Sequence, residues 1–158
     1  MIHRFEQVQR FPRPLGEIFD FFTQVSNLES MTPPFLHFRN LTSNRVPLRP
    51  GAEIEHAMRL YGIPITWRTR IEHFAPDESF VDRQIRGPYK LWLHKHSFRE
   101  IAGGTEMADQ VDYELPLGLL GELGGGLLTR RLVSHIFAYR KAVLADRFGE
   151  LRALASGG

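Results

Sequence analysis

Cysteine is absent from this chain of 158 residues, which removes disulfides, thiolate metal sites and a cysteine nucleophile. Long apolar runs are missing too. None approaches the roughly 20 residues needed to span a bilayer, so no stable membrane insertion is expected. Charge of one sign is also scarce: lysine plus arginine number 20 against 18 acids, for a formal net charge of +2. Basic tracts such as Arg130-Arg131 are only two residues long, so the electrostatic footprint of a nucleic-acid binder is lacking. No Rossmann fingerprint, phosphate-loop lysine or nucleophile elbow is present. The opening MIHRFEQVQRF alternates polar and apolar residues and does not read as a secretion signal. The expectation is a soluble, cytoplasmic protein.

What is present is ordinary in amount and informative in pattern. Apolar residues make up 42% and charged residues 24%, as in a globular protein with a substantial core. No linker divides the chain, and residues 1–155 are expected to form one domain. Ile2–Phe11 alternates as a strand does, and Pro12 and Pro14 end it. Leu15, Ile18, Phe19 and Phe22 then recur at helical spacing, and a second short helix is expected over Val25–Met31, stopped by Pro33-Pro34. Phe35–Asn40, Ala52–Leu60, Ile63–Phe74, Phe80–Arg86, Tyr89–Glu100 and Thr105–Leu115 read as strands separated by turn residues. The last long stretch, Leu127–Leu151, places Leu132, Val133, Ile136, Phe137, Val143, Leu144 and Phe148 on one helical arc. One strand, two short helices, about six more strands and one long helix describe an α+β fold, an antiparallel sheet with a helix on one face.

Side chains two apart on a strand share a face. Trp92, His94, His96 and Phe98 therefore point one way, as do Thr105, Met107, Asp109, Val111 and Tyr113 on the next strand. The alternates on the latter strand are mostly polar, so that set is expected to face inward. If the Trp92 set faces inward too, the concave surface mixes aromatics with His94, His96 and Asp109. His56 and Met58 share a face with Ile54, and Trp67 shares one with Ile65 and Thr69. Asp82 and Gln84 share a face whose direction the pattern leaves open. Arg140 falls near the centre of the apolar arc of the long helix. A guanidinium there needs a carboxylate, water or a ligand, so the helix is expected to cover something other than a dry core.

The succession Gly62-Ile63-Pro64, Trp67, Phe80-Val81-Asp82-Arg83-Gln84, Gly87-Pro88-Tyr89 and Trp92-Leu93-His94-Lys95-His96-Ser97-Phe98 resembles a ligand-binding branch of the START-like (SRPBCC) superfamily. Gly104–Tyr113 and Ile136-Phe137-Ala138-Tyr139-Arg140 fit the same branch, so the resemblance covers nearly the whole chain. It implies a helix-grip fold, with a seven-stranded antiparallel sheet curved around the long C-terminal helix and a cavity between them. Relatives include lipid-transfer domains, coenzyme-Q-carrier-like proteins and polyketide cyclases. The implied partner is a hydrophobic small molecule (lipid, quinone or polyketide-like), and no cofactor is implied.

The residues expected at the ligand are His56, Met58, Trp67, Asp82, Gln84, Trp92, His94, His96, Phe98, Met107, Asp109, Ile136 and Arg140. Under the enzyme alternative, a cyclase/dehydrase, His94 or His96 oriented by Asp109 moves protons on a carbonyl substrate. The plainer reading is a His–carboxylate pair that lines a binding pocket. His94-x-His96 with His56 or Asp109 also has the makings of a two-His-one-carboxylate set. Hydrogen bonding among these groups is the simpler expectation, and no metal is assigned. Arg140 has two open roles, anchoring a carboxylate or phosphate or pairing with Asp82 or Asp109. Pro116–Gly126, with four leucines and five glycines, is expected to be an apolar lid or a simple hinge. A docking loop centred on Leu119 and Leu120 is a third, distinct reading.

Overall fold

The computed structural model describes residues 1–42 and 46–152. β1 (Ile2–Phe11) is followed by α1 (Leu15–Thr23), α2 (Asn27–Ser30) and a 3-10 turn at Pro34–Leu36. Six strands come next: β2 (Arg39–Asn40), β3 (Glu53–Leu60), β4 (Ile63–Ala75), β5 (Ser79–Arg86), β6 (Leu91–Ile101) and β7 (Gly104–Glu114). α3 (Gly118–Phe148) closes the fold. The seven strands form one antiparallel sheet in the order β1-β7-β6-β5-β4-β3-β2. This is the expected α+β helix-grip arrangement.

Local chemistry sets the meander. Tyr61 and Gly62 both take positive φ, at 50° and 79°, as a two-residue hairpin loop requires. That turn pairs Leu60 with Ile63 and fixes the β3–β4 register. β7 alternates strictly, with Thr105, Met107, Asp109, Val111 and Tyr113 buried. β6 buries His94, His96 and Phe98. Both inward faces match the period-two reading, because a register slip of one residue would turn these side chains to the opposite face.

At one end α1 fills the space between sheet and α3. Pro14 presets its entry, and Ile18, Phe19, Phe21 and Phe22 are buried. Phe19 meets Phe98 edge-on at 5.2 Å, and Phe21 meets Phe148 at 5.0 Å. A helix of nine residues is marginal alone. Each buried phenylalanine contributes about 1.5–3 kcal/mol, and the cluster holds the helix in place.

α3 buries Thr129, Val133, Phe137, Arg140, Leu144 and Phe148, a stripe of three- and four-residue steps. β1 grips it directly, since Gln7 Nε2 donates to the Phe137 carbonyl at 3.1 Å and Gln9 Nε2 to the Lys141 carbonyl at 2.9 Å. The helix ends at Gly149, whose φ of 81° no β-carbon-bearing residue adopts easily.

Three boundaries differ from the sequence reading. The strand expected over Phe35–Asn40 is only Arg39–Asn40. Its first half is the 3-10 turn that Pro33 and Pro34 initiate, and His37 breaks it at φ 46°. The second helix shrinks to Asn27–Ser30. The glycine-leucine segment expected to be a lid or hinge loop is instead helical from Gly118 onward, so α3 starts well before Leu127. Glycine's low propensity hides this start, and tertiary contacts supply it. Glu122 accepts from His3 at 2.7 Å, and a β-carbon at Gly121 would lie 2.0 Å from the Pro116 carbonyl oxygen. Leu117, Leu119, Leu120, Leu123 and Leu127 on these first turns are exposed. Among the described residues no helix is long and apolar enough to cross a membrane.

Candidate functional site

α1 plugs only one end of the grip. Between the inner faces of β3–β6, α2 and the middle of α3, a cavity of about 170 Å³ remains. Its walls are apolar and aromatic: Met58, Trp67, Trp92, Ile136 and Phe137, with Leu28, Met31 and Leu36 from the segment after α1. Trp67 and Trp92 meet edge-on at 5.1 Å, and Tyr89 packs on both. An engineered apolar cavity of ~150 Å³ accommodates benzene, so this space takes at least a ring-sized apolar body.

Asp82, His94 and His96 form one polar wall on β5 and β6, while His56 on β3 and Arg140 on α3 stand apart from it. His94 and His96, two apart on β6, stand side by side with ring centroids 3.7 Å apart. Behind them lies Asp109 on β7, which is only 1% exposed. His94 Nε2–H donates to Asp109 Oδ1 at 2.7 Å, which leaves Nδ1 as the lone-pair nitrogen. His96 Nε2–H donates to Asp82 Oδ2 at 3.1 Å, and its ring stacks on Phe80 at 4.1 Å. His96 Nδ1 lies 3.3 Å from Asp109 Oδ1 but out of line for a hydrogen bond.

Environment separates the two imidazoles. Burial lowers the pKa of His94, and the neighbouring charge of His96 adds to this against the pull of Asp109. Burial works against His96 as well, but Asp109 and Asp82 outweigh it and raise its pKa above the ordinary value. His96 thus holds its proton more tightly than His94 does. Burial would raise both carboxyls, yet the hydrogen bonds and charge of the histidines hold Asp82 and Asp109 below the usual carboxylate range. Across the cavity, burial pushes His56 down to about 4.

Of the residues expected at the ligand, His56, Met58, Trp67, Asp82, Trp92, His94, His96, Ile136 and Arg140 do line the cavity. Four lie elsewhere. Asp109 sits behind the histidines. Gln84 spans the β5–β6 turn, donating to the Tyr89 carbonyl at 2.7 Å. Phe98 and Met107 belong to the phenylalanine cluster around α1, since the inward face of each strand is shared between cavity and core. Phe22, Val25, Leu28, Met31, Leu36 and Leu132 line the cavity without having been anticipated. Leu132 was recoverable, because it lies on the same helical arc as Ile136. For the others no strand or helix period reports which neighbour they will meet.

Asp82, His94 and His96 each offer a metal-ligating atom, all within 4.8 Å of one another. In this arrangement the three are joined to one another, His96 by the bond to Asp82 and His94 Nδ1 at 3.9 Å from the same oxygen. Chemically the wall can hold a proton on His96 and accept one at His94.

Known proteins with the same shape are numerous but distant in sequence. A START superfamily protein from Mycobacterium smegmatis aligns over 92% of this chain and 97% of its own, with a TM-score of 0.70 at 11% identity. A protein from Chromobacterium violaceum, CV1439, gives a TM-score of 0.69 at 9% identity over 94% and 99% of the two chains. The di-domain ARO/CYC StfQ of the steffimycin biosynthetic pathway gives 0.69 at 17% identity, covering 93% of this chain and 52% of that one. At such identities these matches show the fold alone. No curated protein matches the chain. The family described as polyketide cyclase / dehydrase and lipid transport matches residues 11–137, most of the chain. The protein belongs to that family.

Proposed function

We propose that the protein binds and carries a hydrophobic small molecule, lipid-, quinone- or polyketide-like, in the space between the sheet and α3. The cavity carries this reading: it is apolar and aromatic on most of its walls and polar on one. A close-packed core of a domain this size leaves few voids larger than a water molecule. Apolar walls with a few convergent polar groups are the usual form of a small-molecule site. Titration with Nile red, a neutral hydrophobe, followed by energy transfer from Trp67 and Trp92, tests it. One saturable site is expected, weakened at least tenfold by Ile136→Trp, which fills the cavity. Absence of saturable binding would end the proposal.

One observation favours a second reading, an enzyme of the cyclase/dehydrase kind. Paired titratable groups whose surroundings drive their pKa values apart divide into acid and base, and His94 and His96 do so in contact. His94 Nδ1 would take a proton from the carbon next to a ligand carbonyl. His96 would give one to the oxygen that becomes a hydroxyl or leaves as water. On this reading His94→Ala lowers turnover of a polyketide-like substrate by two or more orders of magnitude while Nile red still binds. On the carrier reading the same variant changes affinity alone.

A further inference from the structure

Arg140 projects from the middle of α3 into the cavity and is only 7% exposed. Among the described residues its guanidinium has no hydrogen bond and no ion pair, and its Nε is both buried and unpartnered. It lies over the face of Phe137, with Cζ 5.0 Å from the ring centroid. A cation–π contact of this kind stabilises the charge by about 0.5–2 kcal/mol but accepts none of the guanidinium's five N–H donors. The nearest carboxylates are otherwise engaged, Asp109 by His94 and Asp82 by His96. They act on Arg140 only through space.

A buried, unpaired cation is among the costliest arrangements a fold can retain. Its fork of donors matches a planar oxyanion two-to-two. We infer that Arg140 is the head-group anchor of the cavity, and that the bound molecule is an acid, its carboxylate or an equivalent planar oxyanion on Arg140 and its apolar body against Trp67, Trp92 and Ile136. This rests on the reading that the cavity holds a ligand and adds which class of hydrophobe it selects.

Decanoate and methyl decanoate, which share a chain and differ in charge, provide the test, read by quenching of Trp67 and Trp92. The acid is expected to bind at least tenfold more tightly than the ester in the wild-type protein. Arg140→Met should reduce acid binding to the level of the ester and leave the ester's affinity unchanged or higher. Arg140→Lys should keep part of the preference. Equal binding of acid and ester by the wild type would overturn the anchor while leaving the hydrophobic site standing, and so would an acid preference that survives in Arg140→Met. Binding of neither molecule would overturn the anchor and the site together. Folding does not confuse the result, because replacing an unpaired buried charge with methionine is neutral or stabilising. The thermal midpoint of Arg140→Met is expected at or above that of the wild type.

Discussion

His56, set by burial, and Asp109, set by its histidine partners, have separate acid sensitivities at single residues. His56 is 5% exposed and its pKa is pushed down to about 4, chiefly by desolvation. Between pH 6.5 and 4 the unfolded chain takes up a proton at this position that the folded chain refuses. Stability is therefore full above pH 6.5 and falls as pH drops through that window, by on the order of 3 kcal/mol for this group. Asp109, held below the ordinary carboxylate range, works lower down. Its stabilisation is present above the unfolded value of about 3.9 and is lost as pH falls further. His96, with a raised pKa, has the opposite sense and is most stabilising below its unfolded value. Urea titrations from pH 7 to 4 should accordingly show a shallower loss in His56→Gln than in the wild type. An unchanged slope would mean that His56 is not buried as a neutral ring.

Among the elements, α3 behaves as two segments. From Val133 to Phe148 it is packed on the core by a continuous buried stripe. Its first turns carry Gly118, Gly121, Gly124, Gly125 and Gly126 with exposed leucines between them. A β-carbon at Gly124 or Gly125 meets nothing within 4 Å, whereas one at Gly121 strikes the Pro116 carbonyl. Gly124→Ala and Gly125→Ala should each stabilise by about 0.5–1 kcal/mol through helix propensity, and Gly121→Ala should destabilise. Urea midpoints measure all three, and a loss at Gly124 or Gly125 would show that these turns are not helical in solution. This is also where the sequence was least readable. The late part of α3 announced itself through the spacing of Val133, Phe137, Leu144 and Phe148. Its start is held by the Glu122–His3 bond and the Gly121 approach, contacts between residues more than a hundred positions apart or across a turn. Phe35–Leu36 failed to read for a related reason, since two prolines can end a helix or begin a 3-10 turn and only packing chooses between them.

For the whole molecule, the sheet and its inward faces were legible because period-two alternation is imposed by burial on one side. Trp92, His94 and His96 could be assigned together from that alone. The division of the inward face was not legible. Phe98 and Met107 share faces with cavity and buried histidine-wall residues but lie under α1, and Gln84 is used by a turn. Where a curved sheet is filled and where it stays open depends on which helix covers each region. The grip that results has one end plugged by phenylalanines, a cavity at its middle, and a polar wall opposite Arg140. The proposed occupant of this cavity is an acidic hydrophobe. Native mass spectrometry of protein purified without detergent, with extraction and accurate-mass analysis of whatever is released, tests this most directly. The expected result is a single bound species at one per chain, an acid with an apolar body, lost from Arg140→Met and from Ile136→Trp. An unliganded spectrum, together with no uptake from a panel of fatty, quinonoid and aromatic acids, would contradict it.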